Sequence, residues 1–169
     1  MTDETGERSL AASHTQMTEI VLPNDTNTYG RALGGTVLHW MDVCGAISAM
    51  RFSREKVVTA SMDHVDFLAP IDLGEVASVE AYVFAAGRTS VDVRVEVDAE
   101  APVTGEVRET TTSFLTFVAL DGEGTPTPVP DLTCPTDAER DRRDEARAER
   151  SAQAETLLAR MDDDRPAGS

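Results

Sequence analysis

Lysine is all but missing from this chain. Of fifteen basic residues only Lys56 is a lysine, against thirty-one aspartates and glutamates, for a formal net charge of −16. A surface of that sign repels nucleic acid, whose binding needs a basic face that displaces counterions from phosphates, so a nucleic-acid partner is excluded. Cysteine is also scarce. Cys44 lies in an apolar stretch and Cys134 among prolines, a pattern that predicts neither a disulfide framework nor a paired-cysteine motif. His14, His39 and His64 are too scattered to predict a metal site, and none is expected. No apolar run approaches bilayer-spanning length, and the opening residues MTDETGERSLAASHTQ are polar and acidic where a secretory leader is basic and then apolar. The expectation is a cytoplasmic protein with no membrane partner.

Acidic residues spread along the whole chain, with arginine in place of lysine, resemble the composition of proteins from salt-loving microbes. In molar salt the Debye length falls to about 3 Å, so this charge would scarcely repel an anionic ligand at distance.

A length of 169 residues at 40% hydrophobic composition predicts one domain with one core. Residues 1–16 read as a mobile arm, 17–132 as the folded domain, and 133–169 as a charged extension, helical and then frayed. Within the domain, GRALGGTVLHWMDVCGAISAM (Gly30 to Met50) predicts a helix whose apolar residues cover most of its circumference, and such a helix belongs inside a domain. Asp42 is then a carboxylate in a costly place.

Strands are predicted at 56–68, 75–87, 89–100 and 105–120. The third is the most regular: Val91, Val93, Val95 and Val97 alternate with Ser90, Asp92, Arg94 and Glu96, one face for a core and one for water. Pro and Gly breaks between the strands suit hairpins rather than helical crossovers. One apolar helix and a run of antiparallel strands must cover each other. The expected fold is therefore α+β, a curved antiparallel sheet wrapped around a long central helix. Beyond it, TDAERDRRDEARAERSAQAETLLARMDD predicts an exposed or weakly docked helix, its charges reading as a solvated face.

The stretches LPNDTNTYGRALGGTVLHWMDVCGAISAMR, VVTASMDHVDFLAPIDLGEV and AAGRTSVDVRVEV together resemble the acyl-CoA thioesterases of the hot dog fold, the branch of brain-type acyl-CoA hydrolases and their small bacterial relatives. The likeness runs from about Thr18 to Val129 and leaves out the arm and the charged tail. It implies hydrolysis of acyl-CoA to a free acid and coenzyme A, in a homodimer at least and a trimer of dimers by analogy. Coenzyme A enters as part of the substrate, with no separate cofactor.

Several residues fit that chemistry on physical grounds. Asn27 lies in a loop where Asn and Asp side chains bond nearby backbone, which also suits a plain helix-entry turn. Gly34 and Gly35 stand where the chain enters the helix, and free N–H groups there can hold a developing oxyanion. Asp42 lies roughly 10 Å further along the axis, too far to serve its own helix start. A two-fold dimer with the helices side by side would bring Asp42 of one chain to Asn27 and Gly34 or Gly35 of the other. The resemblance implies the same shared site, with Asp42 as general base or nucleophile and Asn27 orienting water or thioester.

Other assignments rest on the resemblance. It places Thr59 at the acyl site, ahead of Ser61, and the turn Gly87, Arg88, Thr89, Ser90 at coenzyme A, with Arg88 on a phosphate or the nucleotide. Arg51, Arg54 and Lys56 form a second basic candidate for the phosphates, Arg54 included among the expected substrate-binding residues. His39 is expected to be structural, and Trp40 and Tyr29 read more readily as core than as an acyl channel.

Two other classes compete. An acyl-CoA sensor would need an output module, for which this chain has neither room nor positive charge. A dehydratase or hydratase pairs its carboxylate with a histidine a few residues downstream, and none follows Asp42 before His64.

Overall fold

The structure, a computed structural model, describes residues 6–163. In chain order it comprises β1 (Glu7–Ser9), α1 (Leu10–Ser13), β2 (Thr15–Ile20), α2 (Gly34–Ser53) and β3 (Lys56–Met62). The long strands β4 (Val76–Ala86), β5 (Ser90–Ala101) and β6 (Glu106–Leu120) follow, then β7 (Asp131–Thr133) and α3 (Asp137–Asp163). Five strands form one antiparallel sheet in the order β2-β4-β5-β6-β3, and β1 pairs β7 in parallel beside it. This is the hot dog arrangement expected, with α2 against one face of the sheet.

The valine alternation of β5 decides which face. Val91, Val93, Val95 and Val97 are all at most 2% exposed and pack with α2, as do Val79 and Val83 of β4 and Leu115 and Phe117 of β6. The helix answers with Val37, Met41, Cys44, Ala49 and Phe52, spaced three to five residues apart on one stripe. Burying a ring such as Phe52 or Phe117 contributes about 1.5–3 kcal/mol. At Gly45 an added Cβ would stand 3.0 Å from the Phe117 ring, so glycine lets the helix lie close on β6.

Three expectations need correction. The helix spans Gly34–Ser53 rather than Gly30 to Met50, its entry at Gly34 as the glycine pair indicated, because Gly30 takes a left-handed turn (φ 70°) and Arg31 and Ala32 bridge to Asp72 and Thr26. Within one protomer α2 is not enclosed on all sides either: Gly35 and His39 are exposed and Asp42 is half-buried, so the feared carboxylate in an apolar core does not arise. Finally, residues 7–16 of the expected mobile arm carry β1, α1 and the start of β2. Leu10 inserts beside Tyr82, Phe84 and Phe114 on the sheet's second face, and the Val83 N–H donates to Ser13 Oγ at 2.9 Å. One leucine among polar residues is too short a pattern to reveal that anchor. Residues 1–5 of the arm and 164–169 of the frayed end lie outside the described residues.

That second face is not left to water. α3 docks across it: Arg94 pairs with Glu149 and Glu96, Arg150 with Asp63 and Asp92, and Ala146 is buried against Phe84 and Phe114. The polar face of β5 is thus a docking surface for a charged helix. Burial alone would lower the Arg94 pKa, but the two carboxylates outweigh it and hold Arg94 above the usual arginine range. No helix among the described residues is long and apolar enough to cross a membrane.

Candidate active site

The loop before α2 turns on Asn27. Its Oδ1 accepts from the N–H groups of Tyr29 (2.9 Å) and Arg31 (3.2 Å), which closes the turn and leaves the Nδ2 amide free to donate. Leu33 caps the helix without a side-chain hydrogen bond. The first N–H groups of α2, at Gly34 and Gly35, therefore keep their donors and the partial positive charge of a helix start.

Asn27 and Gly34 line one cavity of about 350 Å³. Val37, Phe67, Leu68, Pro70 and Ile71 belong to its apolar wall, Arg31 joins Asn27 as a polar side chain there, and Thr110 of β6 completes it. Phe67 lies 3.4 Å from where a Gly34 Cβ would stand, an ordinary van der Waals distance that places its ring beside the helix start. The wall itself is clamped: Arg108 donates to both Glu75 carboxylate oxygens (2.9 and 2.5 Å) and to the Pro70 carbonyl (2.7 Å). The Arg108 hydrogen bonds hold the Glu75 carboxyl below the usual carboxylate range. Gly35 follows Gly34 on the exposed side of the helix start.

Asp42 does not line this cavity. Its Oδ1 accepts a 2.6 Å hydrogen bond from the Thr59 hydroxyl, which joins α2 to the edge strand β3. Thr59 pairs with Phe117, whose ring faces α2, and a bulge follows between Thr59 and Ser61. Ser61 lies beyond that bulge, exposed. The structure thus joins Asn27 to Gly34 and Asp42 to Thr59, as two separate groups on one chain.

The two basic candidates turn out to share one end of the sheet. Lys56 opposes Leu120 and Val57 opposes Ala119, while the Ala119 N–H donates to the Thr89 carbonyl and the Val129 N–H to the Arg88 carbonyl. The turn Gly87–Ser90 is closed by the Gly87 N–H donating to the Ser90 carbonyl at 2.8 Å. Arg88 and Arg54 are exposed, and Arg54 sits at the α2 C-terminus in a left-handed conformation (φ 62°). Arg51 is committed elsewhere, donating to the His14 carbonyl and the Thr15 hydroxyl.

Other polar groups are occupied or out of reach. Burial pushes the Cys44 thiol up to about 12, and its contacts are the carbonyls of Thr15 and Val79, so it is no nucleophile at neutral pH. Asp63 goes to Arg150 and His64 to Asp66. His39 is exposed, Trp40 is core, and Tyr29 is 84% exposed. Among the described residues no cluster of three or more His, Cys, Asp or Glu is set to hold a metal ion.

Sequence reading missed Thr110, Phe67 and the Arg108–Glu75 clamp. The run Thr110–Thr111–Thr112, which breaks the alternation of β6, was the available signal for the first.

Residues 29–106 match the model of the thioesterase superfamily. The uncharacterized acyl-CoA thioester hydrolase YkhA of Bacillus subtilis (strain 168) is 45% identical over 122 residues, covering 72% of this chain and 71% of that one. An apo-hexameric acyl-CoA thioesterase aligns with a TM-score of 0.80 at 38% identity, over 90% of this chain and 97% of that one. An acyl-CoA hydrolase of Staphylococcus aureus, solved in complex with butyryl coenzyme A, coenzyme A and coenzyme A disulfide, aligns with a TM-score of 0.74 at 34% identity, over 92% and 98%. That hydrolase has also been solved as variants in which an aspartate, an asparagine or a threonine is replaced by alanine.

Proposed function

The chain belongs to the thioesterase superfamily, and on that premise we propose that it is an acyl-CoA thioester hydrolase whose active sites are shared between subunits. One observation carries the reading: a cavity that joins Asn27 to the uncapped helix start at Gly34 lacks a carboxylate base, while Asp42 stands half-buried further along the same helix, outside that cavity. A two-fold partner supplies each half with its complement. Among the described residues the edge strand β3 has no neighbour on its outer side, and it bears exposed Val58, an edge that calls for pairing with a second copy.

In the composite site Asp42 takes a proton from water, and the water oxygen bonds to the thioester carbonyl carbon. The Gly34 and Gly35 N–H groups receive the oxyanion, and the Asn27 amide orients the water or the thioester. Collapse breaks the C–S bond, and the departing coenzyme A sulfur recovers the proton from Asp42. Thr59 fixes Asp42 through one oxygen and leaves the other to act. The aspartate, asparagine and threonine changed in the Staphylococcus aureus hydrolase have the same spacing along the chain as Asp42, Asn27 and Thr59, which supports these roles.

Coenzyme A lies, in this reading, with its phosphates toward Arg88 and Arg54 at the sheet end that also holds Gly87, Thr89 and Ser90. No separate cofactor is assigned. The hexameric relative supports a trimer of dimers here. A panel of acyl-CoA esters, assayed by release of free thiol at low and molar salt, tests the proposal. Thiol release from none of them would overturn it.

A further inference from the structure

Thr110 stands at an irregularity of β6. Thr111 opposes Val97 and Glu109 opposes Asp98, so Thr110 between them has no Cα partner on β5. A bulge of this kind re-aims the side chain it carries. Thr110 is only 1% exposed, and among the described residues its hydroxyl, like those of Thr111 and Thr112, has no hydrogen-bond partner; of the three only Thr110 lines the cavity of Asn27 and Gly34. A buried hydroxyl left in that state is costly, and a fold keeps one where something else partners it.

Its position says what that partner is. Thr110 lines the cavity of Asn27 and Gly34, and its carbonyl accepts the Leu68 N–H at 2.8 Å, which ties the bulge to the cavity wall. Apart from Asn27 and Arg31, the other side chains of that wall are apolar. With the thioester carbonyl held at the helix start, the acyl chain shares the cavity with Thr110. A plain alkyl chain leaves the hydroxyl unpartnered in a site from which water has been expelled. A chain bearing a hydroxyl or keto oxygen partners it.

We propose that Thr110 is a specificity-determining residue, and that the cavity favours acyl-CoA esters with an oxygen function in the acyl chain over plain alkyl esters of equal length. The proposal rests on the hydrolase reading for the identity of the substrate. Sites that hydrogen-bond a substrate oxygen discriminate strongly against the analogue lacking it, because the site's own polar group is then stranded.

The test compares butyryl-CoA with 3-hydroxybutyryl-CoA in the wild type, Thr110→Val and Thr110→Ser. The wild type is expected to favour the hydroxy ester by about tenfold in kcat/KM, the scale of one buried hydrogen bond. Thr110→Val, which keeps the β-branch and removes the hydroxyl, should erase the preference, and Thr110→Ser should retain it. An unchanged ratio in Thr110→Val overturns the proposal. So does a wild type that prefers the alkyl ester or treats both alike, which decides the matter even if Thr110→Val fails to fold. If the wild type hydrolyses neither ester, the ratio of the two dissociation constants by calorimetry judges Thr110 by the same criteria, and the wider acyl-CoA panel judges the hydrolase reading.

Discussion

The Thr59 hydroxyl donates to Asp42 Oδ1 at 2.6 Å, so the edge strand and the central helix are joined at one carboxylate. The bond spends one oxygen of Asp42 on orientation and fixes the other relative to the strand edge. Asp42→Asn should lower thiol release from acyl-CoA by at least ~100-fold, the scale of a lost general base, while coenzyme A binding and oligomeric mass stay as in the wild type. Thr59→Ala should cost roughly tenfold in kcat with little change in KM. Near-normal turnover in Asp42→Asn would remove the residue from the mechanism.

If the halves of the site come from different chains, inactive variants can rescue one another. Asn27→Ala and Asp42→Ala chains, each inactive alone, should regain part of the activity when unfolded together and reassembled. Mixed dimers carry one site with both lesions and one with neither. Verified mixed oligomers with no activity would argue for a site within one protomer.

Much of this arrangement was legible in the sequence, and the failures share a cause. The β5 valines fixed a face, and the apolar run through Met41 and Cys44 fixed a helix, because periodicity reports burial over many residues. Gly34 and Asp42 stood out as small or polar residues set against that pattern, while Asn27, in the loop ahead of it, took its role from the family resemblance. Leu10 was invisible because it is a lone plug with no period to betray it, and Thr110, at a bulge, left no trace beyond the threonine run that breaks the β6 alternation. The docking of α3 was hidden for a different reason: its charges read as a solvated face, and nothing in their spacing told that Glu149 would meet Arg94, and Arg150 would meet Asp92, on the sheet.

Arg88 tests the coenzyme end. An exposed guanidinium on an acidic chain is the kind of group that a phosphate recruits. Arg88→Ala should raise KM for acyl-CoA roughly tenfold and leave KM for the matching acyl-pantetheine, which lacks the nucleotide phosphates, nearly unchanged. Arg54→Ala should act in the same direction. An equal rise for both substrates would mean that Arg88 shapes the turn and does not contact phosphate.

The Arg108–Glu75 clamp makes the cavity wall acid-sensitive. Arg108 holds the Glu75 carboxyl below its ordinary value, so the pair's stabilisation is fully present above the unfolded glutamate pKa of about 4.3 and is lost as pH falls through the lower folded value. Thermal midpoints followed from pH 6 to pH 3 should fall more steeply at the acid end for the wild type than for Arg108→Gln, which has already lost the clamp. Parallel curves would show that Glu75 titrates alike in the folded and unfolded chains.

Salt decides between two opposing effects on α3. Its docking pairs, such as Arg94–Glu149 at 2.7 Å and Arg150–Asp92 at 3.0 Å, are partly buried and lie within even the ~3 Å screening length of molar salt. The repulsion among the excess carboxylates behind the −16 net charge acts over longer distances and is screened first. Raising salt from tens of millimolar to molar should therefore raise the thermal midpoint, the behaviour expected of a protein suited to saline surroundings. Arg150→Ala, which strands Asp63 and Asp92 and removes the cation over the Phe84 ring, should lower the midpoint at every salt concentration without reversing that trend. A midpoint that falls steadily with salt would show that the docking pairs outweigh the net repulsion.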